Sequence, residues 1–455
     1  MALTETPRAR RLPPSVPAPS IRSVRSALSS PRLPGLLAAA TVLLVCVTPS
    51  DQDVTAAVHI TPADVSSLAL VGLCALRAVA ALRRGGAGLL PVRAAVLFSG
   101  VLLAVAVAAA ASQDPHQSLS GFVRLTQVFV LVPIAVLLSL REHRSPDLLL
   151  GALVGSAVIE GAVGVEQFLT GTGAAYAGGT DRAVGTFGAQ DIMAMSAVVS
   201  YGLIAALGLA LQARAARRTR SARVFGLVAV VLLVPLALSF SRGSWIATGC
   251  AVAVALLLTD VRLALRVAVF GLAAAVVLVL GLGLGGASVA ARLGSIASVA
   301  GAPDHSVSDR YDLWTTAERI WRQHPVTGVG PKEFPQFRDA HAPLRLSSGS
   351  DTAGAGASYA REPLLSPHNM YLLVLSEQGL IGLTAFSALL LGLLVGTVRR
   401  TRALLGRAGP GAALLGLLVW QLVDFLYADI GGPTTVLVSF VLGLAAYWSL
   451  DGATP

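Results

Sequence analysis

The chain has 455 residues, 55% of them hydrophobic and 13% charged, with a mean hydropathy of +0.73. That composition excludes an ordinary soluble domain and places the chain among integral membrane proteins. The net charge of +10 would suggest nucleic acid in a soluble protein; here it belongs to arginines that hold short connectors on the cytoplasmic side, and no nucleic-acid partner is expected.

Residues 1–32 are rich in Pro, Ser, Ala and Arg and carry no apolar period, so they read as a disordered cytoplasmic tail. The first apolar run has no small-residue cleavage site after it and reads as a span, not a signal peptide. About 17–25 apolar residues cross a hydrocarbon core of about 30 Å as a helix. Runs that fit this length fall at roughly 33–49, 64–82, 92–111, 121–140, 147–169, 190–211, 223–240, 244–259, 263–285, 368–396, 411–430 and 433–450. The expected fold is therefore an all-α polytopic membrane protein of about twelve transmembrane helices. Spans 1–9 occupy 33–285, a large extracytoplasmic loop occupies 286–367, spans 10–12 occupy 368–450, and 451–455 form a short cytoplasmic tail. Cys46, Cys74 and Cys250 lie singly in apolar runs, with no disulfide and no metal-ligand spacing implied.

Charge supports this topology. Arg83, Arg84, Arg93, Arg141, Arg144, Arg214, Arg217, Arg218, Arg220, Arg223, Arg262, Arg266, Arg399, Arg400, Arg402 and Arg407 fall on alternate connectors. These become the inner ones when the N-terminus is cytoplasmic, which makes both termini cytoplasmic in a multi-pass cell-membrane protein. On the short outer connectors only Arg124, Arg182 and Arg242 are basic.

Within the long loop, Ser306 to His324 reads as an amphipathic helix, with Leu313, Trp314, Ala317, Ile320 and Trp321 on one face. Ser306 and Asp309 fit a capping-box start. Pro325 ends the helix, Gly328-Val-Gly-Pro-Lys reads as a turn, and residues 345–362 are of low complexity.

Arg242 stands in Ser239-Phe-Ser-Arg-Gly-Ser-Trp, an outer turn with almost no connector, where a charge must be solvated or paired. It reads either as an interfacial arginine snorkelling to lipid phosphate or as a fixed guanidinium that grips a phosphate. Arg182 and Arg310 are further candidates, each also readable as a solvated surface arginine, and Arg124 reads as a flank of the fourth span. His368, where the long loop meets a span, is either an interfacial anchor or a proton acceptor. Glu160, Glu166, Glu377, Asp424 and Asp429 lie inside apolar runs and must face the bundle interior or water. Glu377 sits nine residues, about 13 Å of helix, beyond His368. Pairing with an outer arginine is the expectation for Glu377 and Asp424; a proton relay is the functional rival.

Four segments in this order resemble the O-antigen ligase and O-antigen polymerase superfamily. They are Arg182-Ala-Val-Gly-Thr-Phe-Gly, Ser239-Phe-Ser-Arg-Gly-Ser-Trp, Arg310-Tyr-Asp-Leu-Trp…His324-Pro-Val-Thr-Gly-Val-Gly-Pro, and His368-Asn369-Met-Tyr-Leu…Glu377-Gln-Gly-Leu-Ile-Gly. One departure is Ala189-Gln-Asp191, where the family often has Asn-Pro-Asn. The resemblance implies a metal-independent membrane glycosyltransferase with no cofactor. Such an enzyme takes a glycan from an undecaprenyl-diphosphate donor at the outer face and passes it to a glycan, lipid or protein acceptor. It implies Arg242 and Arg310, with Arg182, as the diphosphate-binding cations, His368 as the group that deprotonates or orients the acceptor hydroxyl, and Glu377 and Asn369 as supporting residues. The donor's tail would enter between helices from the surrounding membrane lipids.

A secondary transporter or lipid-linked glycan flippase is the alternative, since many spans and membrane carboxylates are common there. Transporters show repeat symmetry and polar breaks near the midplane; here no repeat is visible and polar residues gather at one face. A non-enzymatic envelope scaffold would leave Arg242 unexplained, and no phosphate loop of a pump is present.

Overall fold

The structure is a computed structural model, and it describes residues 30–47, 60–85, 90–143, 145–174, 182–188, 193–276, 305–343, 346, 365–407 and 409–450. The tails, most of the low-complexity stretch and Ala189-Gln-Asp191 lie outside these residues. Among the described residues every regular element is a helix. In chain order they are α1 (Leu33–Leu44), α2 (Pro62–Arg83), α3 (Val92–Ala110), α4 (Pro115–Thr126), α5 (Val132–His143), α6 (Asp147–Thr170), α7 (Ala194–Ala215), α8 (Thr219–Val231), α9 (Leu233–Leu238), α10 (Arg242–Thr259), α11 (Val261–Val276), α12 (His305–Gln323), α13 (Phe334–His341), α14 (Met370–Ala403), α15 (Gly411–Asp424) and α16 (Thr435–Leu450).

Among the described residues, eight helical stretches are long and apolar enough to cross a membrane: α2, α3, α4 with α5, α6, α7, α8 with α9, α10 and α14. Three of the expected spans are realised as shorter apolar helices, α1, α15 and α16. Their 12, 14 and 16 residues rise only about 18–24 Å, and the expected runs 411–430 and 433–450 give up their facing ends to a turn. The ninth expected span is helical through Val276, and its remainder lies outside the described residues.

Burial follows the lipid-solvent logic. The central helices α7, α15 and α16 are buried nearly all round, whereas α2, α3 and α8 leave Leu68, Leu76, Leu103, Leu227 and Val230 exposed as an apolar rim. Close approach relies on small residues: a Cβ on Gly208 of α7 would stand 2.2 Å from Ala413 Cβ of α15, and one on Gly202 would stand 2.0 Å from Ala157 Cβ of α6. Arg124 is not a bare flank. It pairs with Asp64 near the start of α2 and donates to Gln127 Oε1 at 3.2 Å, just where a π-helical turn, Gln127–Leu131, interrupts α4 and α5.

The loop helix α12 forms as its spacing requires. Leu313, Ala317 and Ile320 are buried against Val329, Phe334 and Leu346, with Leu372 and Leu373 of α14 beneath them. Trp314 and Trp321 are half-buried at the edges of that face. The helix is described over His305–Gln323, so the expected start at Ser306 falls just inside it. A second helix, α13, comes after the turn that Gly328 to Lys332 predicts.

Helix α14 is broken. Gly379 has φ 63° and ψ −159°, and no hydrogen-bond ladder runs through such a residue. The backbone groups released by the break are taken up by the stretch after α12. Val329 N–H donates to Ser376 O (3.1 Å) and Gly330 N–H to Glu377 O (2.9 Å), while Leu380 N–H donates to Pro325 O (2.9 Å) and Ile381 N–H to Val326 O (3.2 Å). A span with irregular backbone is tolerated only where protein satisfies it, and residues 325–330 do so here.

Candidate active site

The site is organised by a turn. Helix α15 ends at Asp424, and residues 425–434 reverse the chain into α16. The start of α14 is pinned to this turn: Met370 N–H donates to Phe425 O (2.9 Å) and Ala428 O (3.1 Å). Asn369 caps α14 by accepting Leu372 N–H at 3.1 Å, and its amide donates to Leu426 O at 2.8 Å. A short polar side chain at the N-cap is what this position needs, and the same side chain fastens the cap to the turn.

His368 precedes that cap with φ 47°, a left-handed conformation that costs a non-glycine residue energy and persists only where neighbours enforce it. Those neighbours are identifiable. Trp314 of α12 donates its indole N–H to Pro367 O at 3.0 Å, and His368 N–H meets Ser366 Oγ at 3.3 Å. Arg310 lies four residues before Trp314, one turn earlier on the same helix.

Electrostatics tie these groups together. Burial holds the His368 imidazole below its ordinary pKa; Asp429 opposes that shift and the Arg310 charge adds to it. Burial raises Asp429, while His368, hydrogen bonds from Ser366 and the His368 backbone, and Arg310 all hold it down. Three groups thus act on one another: a largely buried imidazole, a carboxylate beside it and a guanidinium in reach of both. The Tyr427 hydroxyl is pushed up, by burial first and Asp424 next, with Arg310 opposing. Among the described residues, the Tyr427 hydroxyl and Asp429 Oδ2 are buried without a hydrogen-bond partner.

The backbone at Arg242 approaches the same turn from the other side. Arg242 is the first residue of α10, whose N-cap Ser241 accepts Ser244 N–H at 3.3 Å. Ser241 also donates to Ser244 Oγ at 2.9 Å, and Ser244 Oγ shares a hydrogen bond with Ser196 of α7 at 2.8 Å. Phe240, two residues earlier, is also left-handed, with φ 49°. Gly243 is there because nothing larger fits: an added Cβ would lie 2.2 Å from Cε2 of Tyr427. The Tyr427 ring therefore rests on the backbone beside Arg242, and its hydroxyl is in electrostatic reach of Arg310.

The Arg182 segment forms a separate, well-held unit. Arg182 and Ala174 exchange backbone hydrogen bonds at 2.9 and 3.0 Å, and Ala183 N–H donates to Leu238 O at 3.2 Å. Helix α6 clamps residues 184–186. Gln167 Oε1 accepts from Val184 and Gly185 N–H, and the Glu160 carboxylate accepts Thr186 N–H at 2.9 Å and its hydroxyl at 2.7 Å. Gly185 has φ 65°, and an added Cβ would stand 2.1 Å from Glu160 Oε2. These contacts set Arg182 near the foot of the Arg242 turn, through Leu238.

Glu377 corrects an expectation. Instead of an arginine it meets backbone amides, accepting from Phe334 N–H at 3.1 Å and from Lys332 N–H. It holds the 328–334 turn against the broken part of α14, so it supports the loop. Glu333 backs it up from the loop side, accepting from Ser118 Oγ at 2.6 Å and from Ser112. Tyr427 carries no signal in the sequence, and Asp429 shows only as one of five carboxylates inside apolar runs, because both sit in a run that reads as continuous span. Among the described residues no group of three or more His, Cys, Asp and Glu side chains converges as a metal site.

No curated protein matches the chain. Residues 227–387, which hold Arg242, Arg310, His368 and Glu377, match the family described as O-Antigen ligase, and this match supports placing the chain in the O-antigen ligase and polymerase superfamily.

Proposed function

We propose that this protein is a membrane glycosyltransferase that moves a glycan from an undecaprenyl-diphosphate donor onto an acceptor hydroxyl at the outer face of the cytoplasmic membrane, by ligase or polymerase chemistry. The observation that carries this reading is the coupling of the Arg310, His368 and Asp429 charges at the 425–434 turn, with the backbone next to Arg242 packed on Tyr427. His368, kept neutral by burial, accepts the proton of the acceptor hydroxyl as its oxygen attacks the anomeric carbon. The bond from that carbon to the diphosphate oxygen breaks, and its electron pair leaves with the diphosphate. Arg242 and Arg310 neutralise the developing charge, a role suited to a planar donor fork and normally among the largest catalytic contributions. Asp429 stabilises the imidazolium until its proton passes to water. Arg182, held near the Arg242 turn, extends the cationic wall toward the diphosphate. The cations are side chains, so the reaction runs without a metal.

The test is glycan transfer in liposomes that contain the purified protein, a polyprenyl-diphosphate glycan and an acceptor. New glycosidic bonds are expected with the wild type. Arg242→Ala and His368→Ala, in protein that elutes and melts as the wild type does, should each lower the rate by at least about 10²-fold. Movement of the lipid-linked glycan across the bilayer without new bonds would overturn the enzyme reading, and full activity of either variant would remove that residue from the mechanism.

A further inference from the structure

Four helices run from the candidate site to a cavity at their opposite ends. Helix α7 begins beside Ser244 and ends at Ala215; α10 begins at Arg242 and ends at Thr259; α14 begins after His368 and ends at Ala403; α15 returns from Gly411 to the 425–434 turn. The 18 residues of α10 rise about 27 Å, so the cavity lies a hydrocarbon thickness away from His368. Its volume is about 360 Å³, and its walls include Gln212, Arg214, Asp260, Arg407, Gly411 and Trp448.

The lining is mostly apolar, and its polar groups are of a specific kind. Arg214 and Arg407 are exposed guanidiniums at the mouth. Arg214 meets Asp260 at 3.5 Å with both side chains substantially exposed, a loose pair that a better anion displaces. Beside it, Gln212 gives its amide N–H groups to the exposed Asp147 carboxylate at 3.2 and 3.3 Å, which fixes the orientation of the amide. Its carbonyl oxygen is left buried with no hydrogen-bond partner among the described residues. A buried acceptor in that state calls for a donor. Leu405 of the lining is exposed, and beyond the lining Leu257, Val261 and Leu265 are exposed apolar side chains.

We propose that this cavity holds the headgroup of an anionic glycerophospholipid. Its phosphodiester lies at Arg214 and Arg407, a headgroup hydroxyl donates to Gln212 Oε1, and its acyl chains run along Leu257, Val261 and Leu265. Two guanidiniums against one carboxylate favour a net anion, and paired arginines suit phosphate oxygens. Basic pockets between span ends are a recurrent place for acidic lipid headgroups. The apolar side chains beside the mouth favour a lipid over a free phosphate ester. The proposal is independent of the glycosyl-transfer reading, since the two sites share no residue.

The test is native mass spectrometry of the purified protein released from nanodiscs containing phosphatidylglycerol and phosphatidylcholine in equal amounts. A retained phosphatidylglycerol adduct is expected, reduced about tenfold or more in an Arg214→Gln, Arg407→Gln double variant and reduced also in Gln212→Leu. A charge-matched control, Arg83→Gln with Arg84→Gln at the end of α2, should keep the adduct. Equal retention of phosphatidylcholine, an undiminished adduct in the double variant, or equal loss in the control would overturn the site. Displacement of the bound lipid by soluble glycerol 3-phosphate would overturn the lipid as its occupant in favour of a free phosphate ester. All the substituted arginines are exposed, so folding is not at stake.

Discussion

The indole N–H of Trp314 meets the carbonyl of Pro367 at 3.0 Å, and this bond joins the helix that carries Arg310 to the residue before His368. The two groups come from opposite ends of the loop segment, so their relative position depends on this contact and on the apolar face beneath α12. Replacing Trp314 with Phe keeps most of the apolar contact and removes the donor. The expected result is a loss of about 1 kcal/mol in stability and a drop of about tenfold in transfer rate, with donor binding little changed. Thermal unfolding and rate against donor concentration check both parts.

Asp429 and Arg310 pull His368 in opposite directions, which gives their variants opposite pH signatures. The base must be neutral to work, so activity falls on the acid side as His368 gains a proton. Asp429→Asn removes the group that raises its pKa, and the acid limb should move to lower pH. Arg310→Gln removes a group that lowers it, and the limb should move to higher pH, on top of a rate loss of about 10²-fold. The wild-type limb should lie below the ordinary histidine value, because burial dominates. Rate profiles across the acid range for the three proteins decide it.

The same lowered pKa predicts a stability trend. An unfolded histidine takes up its proton near pH 6.5, whereas the folded one resists until lower pH. This contribution is therefore fully present above about pH 6.5 and is lost as the pH falls through the folded value. His368→Gln should flatten the acid dependence of the melting temperature over that window, which differential scanning calorimetry in detergent measures directly.

Gly379 has no room for a side chain. An added Cβ would lie 2.3 Å from the Val326 carbonyl carbon and oxygen, and φ 63° is strained for any other residue. Gly379→Ala should cost about 2 kcal/mol or more and release residues 325–343 from α14. Faster limited proteolysis within that stretch, compared with Gly226→Ala, where an added Cβ meets open space, is the measurement.

Gly185 offers a test of Arg182. An added methyl would collide with the Glu160 carboxylate and push the Arg182 segment off α6. Gly185→Ala and Arg182→Ala should lower transfer to a similar degree. If Gly185→Ala loses activity and Arg182→Ala does not, the segment matters for its backbone and not for its guanidinium.

Much of this architecture is legible in the sequence because hydropathy and charge are local signals. The apolar runs, the arginine at the head of α10 and the buried face of α12 can each be read from fewer than twenty-five neighbouring residues. The 425–434 turn is not legible: Phe425, Leu426, Ala428 and Ile430 make the stretch around Tyr427 and Asp429 read as continuous span, and the partners that shorten the flanking helices, Asn369 and Met370, are more than fifty residues away. Glu377 misleads for a related reason. A carboxylate inside a span suggests a cationic partner, but the break at Gly379 brings in backbone amides from the earlier loop segment, which no spacing rule shows. The helices α1, α15 and α16 are shorter than their apolar runs because hydrophobicity continues past the point where the helix stops.

The stretch that completes the broken part of α14 is translated before α14 itself. By the time the ribosome delivers Ser376 and Glu377, the amides of Val329 and Gly330 have already been made. Biogenesis is thus ordered like a latch fitted before its door: the catch is made first, and the incoming helix closes against it. Circularly permuting the chain so that residues 305–343 come after α14 would leave that helix to enter the bilayer with its gap unfilled, and the expected casualty is insertion yield, ahead of any effect on chemistry.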